Sequence, residues 1–263
     1  MPQNRRDQKR ARHEAKRKAK RKAARTQLSS RSRKAMLRAA LAWPVMECWV
    51  NEEWKDPTQL NQVVVTRRDP LTGEVRAGTY LVDRACLGVK NAYAANFINA
   101  ESFRRDMLSG MIERQKLIEV DFNLAAKIVK VGIAYAAQFG FRPHRDYLEA
   151  SILLQDADPD SVDIEIPVGG PEGKPYFFAG PYDNTVKILA RLRQQLGPDG
   201  FNYMMPIGAD AGLLLDDDED ELFLWDDDED EEYDLDVDEA EIIELTDREY
   251  TFIPDRKADD PTA

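Results

Sequence analysis

Histidine and cysteine are scarce in this chain, with two of each among 263 residues. The two cysteines, Cys48 and Cys86, cannot make the framework of a disulfide-stapled secreted fold. If their strands are neighbours the thiols could lie close. The simpler reading is two buried, reduced thiols, which suits a reducing compartment. The two histidines, His13 and His144, have no second histidine near them in sequence, so a histidine-based metal site has weak support. No run of about 18 apolar residues exists, so no membrane span is expected. The N-terminal charges are not followed by an apolar stretch, which argues against a secretory signal. No Phe, Tyr or Trp precedes Trp43. The first 42 residues therefore offer no ring for a nucleobase to stack on.

Charge is abundant, and it is sorted. Residues 1–38 hold 16 Lys/Arg against 2 acids, a net +14. Residues 210–263 hold 25 acids against 3 Lys/Arg, a net −22, and the middle is nearly balanced at −4. The overall −12 describes no real surface. Three segments follow: a basic arm over 1–38, a globular domain over 39–209 and an acidic tail over 210–263. The middle segment, roughly 170 residues, is long enough to bury about two-thirds of its unfolded surface.

The arm has almost no large apolar residue, so alone it is disordered or a solvated helix. Its cations Arg5, Arg6, Lys9, Arg10, Arg12, Lys16, Arg17, Lys18, Lys20, Arg21, Lys22 and Arg25 repel one another, and a polyanion relieves that repulsion. Neutralising phosphates releases condensed counterions, so binding would be strong at low salt and weak at high salt. Such an arm reads charge, not base sequence. The plainer alternative is a solvated tail that aids solubility. In a eukaryotic cell, Lys16–Lys18 and Lys20–Lys22 would also serve as an import signal. His13 sits among the cations and reads as incidental.

The centre reads as α+β. Val45 to Val50 is a strand bounded by Pro44 and Asn51, and Asn61 to Arg68 is a second. Asp69-Pro70-Leu71-Thr72-Gly73 is a turn, and Glu74 to Val82 returns. An antiparallel meander of three strands is predicted, organised around Gly78 to Asn91. Asp83 ends the third strand inside an apolar setting. A buried acid is costly unless paired or hydrogen-bonded. It is either a metal ligand or general base, or the cap of the turn through Cys86-Leu87-Gly88, with Lys90 as ion partner.

Asn99 or Ser102 caps one helix, and Asp121 caps a better one striped with Leu124, Ile128, Val131, Tyr135 and Phe139. Gly140 ends it, and Pro143 prevents continuation. Phe141 to Tyr147 (FRPHRDY) places His144 and Asp146 at a helix start. There they would serve an anion, or act as cap and first-turn acid. Val162, Ile164, Ile166 and Val168 alternate with polar or small residues as a half-buried strand. Gly169 to Gly173 turns it, and Pro175 to Ala179 returns. That glycine run is not a phosphate loop, since it joins strands and lacks the spacing. A helix through Val186, Leu189, Leu192 and Leu196 follows, with Asp183 as its N-cap. A last strand spans Phe201 to Met205. About four helices are expected in all.

The combination LVDRACLGVK, GFRPHRDY and GKPYFFAGPYDN, with the Lys/Arg-rich arm before it, resembles a bacterial protein family without an assigned activity. The resemblance runs from about Trp43 to Tyr203. It implies a bacterial cytoplasmic setting and assigns no residue a role.

The tail interleaves acids with apolar clusters: Leu213 to Leu215, Leu222 to Trp225 (LFLW) and YDLDVDEAEIIEL. Repulsion among its charges makes disorder the default. Acidic-apolar segments of this type dock on basic, partly apolar partners, either another protein or the chain's own arm. EF-hand spacing is absent.

Two functional readings result. The first is a non-enzymatic protein that binds nucleic acid through the arm, with the tail tuning that contact. RNA is the expected class, and ribosomal RNA is among the targets to test. This reading needs neither cofactor nor resident metal. The second is a metal-dependent nucleic-acid hydrolase, in which Asp83, Asp146 and Asp183 hold a divalent ion and His144 assists. The second requires the three carboxylates to converge within about 8 Å, given ligand distances near 2 Å.

Overall fold

A computed structural model describes residues 32–205. Helix α1 covers residues 32–40. Strands β1 (Val45–Asn51), β2 (Asn61–Arg68), β3 (Val75–Asp83) and β4 (Gly88–Phe97) follow as a four-strand antiparallel meander. Helix α2 (residues 100–114, with a wider π turn over Arg104–Leu108) leads to β5 (Leu117–Val120), which pairs antiparallel with β1. The sheet order is β4-β3-β2-β1-β5. Helix α3 (Phe122–Ala137), the short α4 (Tyr147–Ala150), β6 (Tyr176–Phe178), α5 (Thr185–Leu196) and β7 (Asn202–Met204) complete the described chain. This is the α+β class that the sequence predicts. No helix among the described residues is long and apolar enough to cross a membrane.

Alternation along the strands divides the core into two layers. Val50, Val63, Val65, Tyr80 and Val82 point to one face, under the apolar stripe of α3, Leu124 to Val129. Val64, Val75 and Ala77 point to the other, where Phe103, Met107 and Leu108 of α2 cover them. Val63, Val64 and Val65 are all fully buried, so β2 lies between two covered faces. Each such side chain stabilises the fold by about 1.5–3 kcal/mol.

Local capping sets the helix starts. Asn99 accepts from the Ser102 amide at 2.8 Å, and the Ser102 hydroxyl faces back in a reciprocal capping box. Asp121 accepts from the amides of Asn123 and Leu124 at 2.7 and 3.3 Å. Gly140, at φ +76°, closes the far end of α3. Gly88 has φ +71° and lies so close to α3 that a Cβ there would meet the Ala136 Cβ at 2.9 Å. Only glycine satisfies both demands, which explains its place after the 84–87 turn.

A second, smaller layer packs against the end of α3. Cys86, Leu87, Tyr135 and Phe139 meet Phe177, Leu189, Leu192 and Phe201. Within it β6 and β7 pair in parallel, Tyr176 opposite Asn202 and Phe178 opposite Met204.

Four details depart from the sequence reading. The meander has four strands and gains a fifth, because the stretch after Gly88 is itself a strand that closes on β3. Residues 162–168 form no strand. Ile166 is buried but Ile164 is 42 % exposed, and the segment is held by side-chain donors instead of a ladder. The Lys127 ammonium donates to the Val162 carbonyl at 2.7 Å, and Arg84 donates to that of Pro167. The return segment over 175–179 therefore pairs with β7 and makes no hairpin. Finally, α1 reaches back into the stretch that charge assigns to the arm. Leu37 and Ala40 are buried against Ile152 and Leu153, and Arg33 lies 3.5 Å from Glu149.

Two arginines buried in the core tie loops to the sheet. Arg67, 1 % exposed, donates to the carbonyls of Leu41, Trp43 and Leu153 and pairs with Asp156. Arg84, fully buried, donates to the carbonyls of Trp54, Asp56 and Pro167 and to Asn61 Oδ1. A planar guanidinium with five donors suits this work. Burial lowers the pKa of Arg84 to about 10.

Candidate functional site

The polar groups singled out in the sequence gather, in part, where the sheet meets the second layer. Asp83 ends β3 at 5 % exposure. Its Oδ1 accepts from the backbone amides of Ala85 and Cys86, both at 3.0 Å. The carboxylate therefore caps the turn that carries the chain from β3 to β4. Burial pushes its pKa up. The Lys90 ammonium and the amides of Cys86, Leu87 and Ala85 pull it part of the way back.

Lys90 sits at an irregularity in the β3–β4 register, between the pairs Leu81–Asn91 and Val82–Val89. Its ammonium lies 2.6 Å from Asp183 Oδ2, with side-chain exposures of 15 % and 11 %. The same Asp183 oxygen accepts from the Gly180 amide at 2.8 Å. Asp183 therefore does not cap α5. Asn184 does, accepting from the Lys187 amide at 3.1 Å. The expected Asp83–Lys90 partnership is the weaker of two, and the direct ion pair goes to Asp183. Lys90 thus links the end of the sheet to the turn before α5.

Cys86 and Tyr135 close the same corner. Burial, and then the negative charge of Asp83, drive the Cys86 thiol well above its ordinary pKa, with Lys90 opposing. Such a thiol is not a nucleophile at neutral pH. The Tyr135 hydroxyl is buried with no hydrogen-bond partner among the described residues. Its pKa too is pushed up, by burial first and then by Cys86 and Asp83. Cys48 lies in the other core layer, its pKa raised by burial to about 12, and both cysteines are free.

The FRPHRDY stretch touches this corner from one side only. The His144 amide donates to the Val89 carbonyl at 2.9 Å, one residue before Lys90. His144 Nδ1 accepts from the Asp146 amide at 3.3 Å and stands 3.8 Å from Asp146 Oδ2. Asp146 is otherwise exposed, and its side chain caps nothing. Among the described residues no three His, Cys, Asp or Glu side chains are grouped to hold a metal ion.

The chemistry available is therefore that of a clasp. Asp83 is committed to backbone amides, and Asp183 to an ammonium and an amide. Asp83 Oδ1 and Asp183 Oδ2 thus hold backbone and side chain together across the corner. The sequence reading missed Arg67, on β2, and Arg84, in the turn after β3. The one available sign was a charge placed directly beside a buried run. The arm cations Arg5 to Arg25 and the acidic tail lie outside the described residues. No family model, curated protein or solved structure matches the chain.

Proposed function

We propose that the protein is a non-enzymatic nucleic-acid-associated factor, working in the cytoplasm. It holds RNA, with ribosomal RNA the first target to test, through the cations between Arg5 and Arg25, and its acidic tail tunes that contact. The carrying observation is the segregation of charge, +14 over residues 1–38 and −22 over 210–263, around a nearly neutral folded centre. Two further points support it. Among the described residues no three His, Cys, Asp or Glu side chains are grouped to hold a metal ion, which favours binding over the hydrolase reading. Both cysteines are free and buried, which suits a reducing cytoplasm.

The test keeps the chain whole and replaces the twelve arm cations from Arg5 to Arg25 by Gln. Affinity for single-stranded RNA is measured across salt. If six to ten phosphates are neutralised, the intact chain shows a log–log slope of about −4 to −7. The variant should lose most of both slope and affinity. An unchanged slope would sink the reading.

A further inference from the structure

Helix α5 buries Leu189 and Leu192, 1 % and 0 % exposed, and turns its other side outward. That side carries Val186, 56 % exposed, and Ala190 one turn later. Lys187 and Arg191, also exposed, run beside them at the same spacing, and Arg193 follows. Arg191 donates to the Gly140 carbonyl at 2.7 Å, which holds its charge in place on the surface. No acid occurs anywhere in Thr185–Leu196. Tyr182, 98 % exposed, stands just ahead of the helix. The result is a small apolar strip framed by cations of one sign.

The chain leaves the described body beside this helix. Met205, its last residue, packs on the same cluster as Ile188 and Leu196 of α5. Residues 216–221 and 226–232, all acidic, then flank Leu222-Phe223-Leu224-Trp225. Sixteen residues separate Met205 from Leu222, and a chain of that length at random-coil dimensions would reach about 20–24 Å. That comfortably reaches a twelve-residue helix about 18 Å long.

We propose that residues 216–232 dock on the outward face of α5, the LFLW cluster covering Val186 and Ala190 and the flanking carboxylates facing Lys187 and Arg191. An RNA backbone would use the cations and leave the apolar strip bare. The tethered segment satisfies both, and it brings the apolar residues that a phosphate chain lacks. The contact is separate from the arm and stands whether or not the arm holds RNA.

Amide hydrogen exchange on the full chain tests it. One variant carries L222S, F223S, L224S and W225S, changes that lie outside the described residues. A second, K187E/A190E, alters only exposed positions of the helix. A tether supplying about 1 mM against a site of about 0.1 mM affinity closes the contact about nine-tenths of the time. Exchange over residues 185–196 should then be about tenfold slower in the intact chain than in either variant. Equal rates in the intact chain and the serine variant overturn the proposal. So does slowing that survives K187E/A190E, or tail-dependent slowing that falls on residues 1–31 instead. If K187E/A190E weakens RNA binding and leaves exchange unchanged, the face belongs to nucleic acid and the proposal fails.

Discussion

Replacing Arg84 by Met should destabilise the folded body severely. The side chain is fully buried and supplies hydrogen bonds to three backbone carbonyls and to Asn61 Oδ1. Methionine fills much of the volume and donates nothing. Each hydrogen bond from a charged donor is worth about 1.5–3 kcal/mol, and a buried acceptor left without a partner costs about 1–3 kcal/mol. Some of the freed carbonyls, in the loop over 51–60 and the segment over 162–168, can turn to water. The expected loss is therefore about 3–5 kcal/mol and not the sum of four bonds. Arg84→Lys keeps the charge but not the planar fork, and should lose about 2 kcal/mol. Urea unfolding measures both. At a slope of about 2 kcal/mol/M, the Met variant's midpoint falls by about 2 M. A Met variant within about 1 kcal/mol of the parent would refute the argument that this guanidinium fastens the two loops to the sheet.

Two other outcomes follow from the same corner. Asp83 has a folded pKa raised above its ordinary 3.8, so its contribution is fully present below that value and is lost as pH rises through the raised one. The substitution D83N keeps an oxygen for the turn amides but removes the ionisation. The stability difference, variant minus parent, should therefore shift in favour of D83N as pH is raised from about 3.8 upward, read by urea unfolding at each pH. A flat difference would mean that burial does not perturb this carboxyl. For the Lys90–Asp183 pair, each of K90M and D183N should cost about 2 kcal/mol, because each strands a largely buried charge. The double variant should cost no more than either single one, and strict additivity would show that the two side chains are not coupled.

Much of the fold was legible in the sequence for local reasons. Asn61 to Arg68 holds an unbroken β-branched run, and strand β2 has those bounds. Asp121 and Gly140 bracket α3 because a cap and a left-handed residue act within one turn of themselves. The alternation over 162–168 misled because it has strand spacing but no partner edge. Its donors come from Lys127 and Arg84, which are distant in sequence. The site divides in the same way. That Asp83 caps a turn could be read from the residues just after it. That Lys90 would choose Asp183, 93 positions away, could not.

The linear order of residues alone determined the charge at each end, the capping of α2 and α3 and the run of the inner strands. Those properties depend on neighbours a few positions apart, and no folding is needed to bring them together. Which acid meets which cation was decided only once the second layer closed on the end of α3. Only then do Asp83, Lys90 and Asp183 share one corner and leave Asp146 in solvent. A pairwise electrostatic choice depends on distance and burial, and both are fixed by how the elements pack.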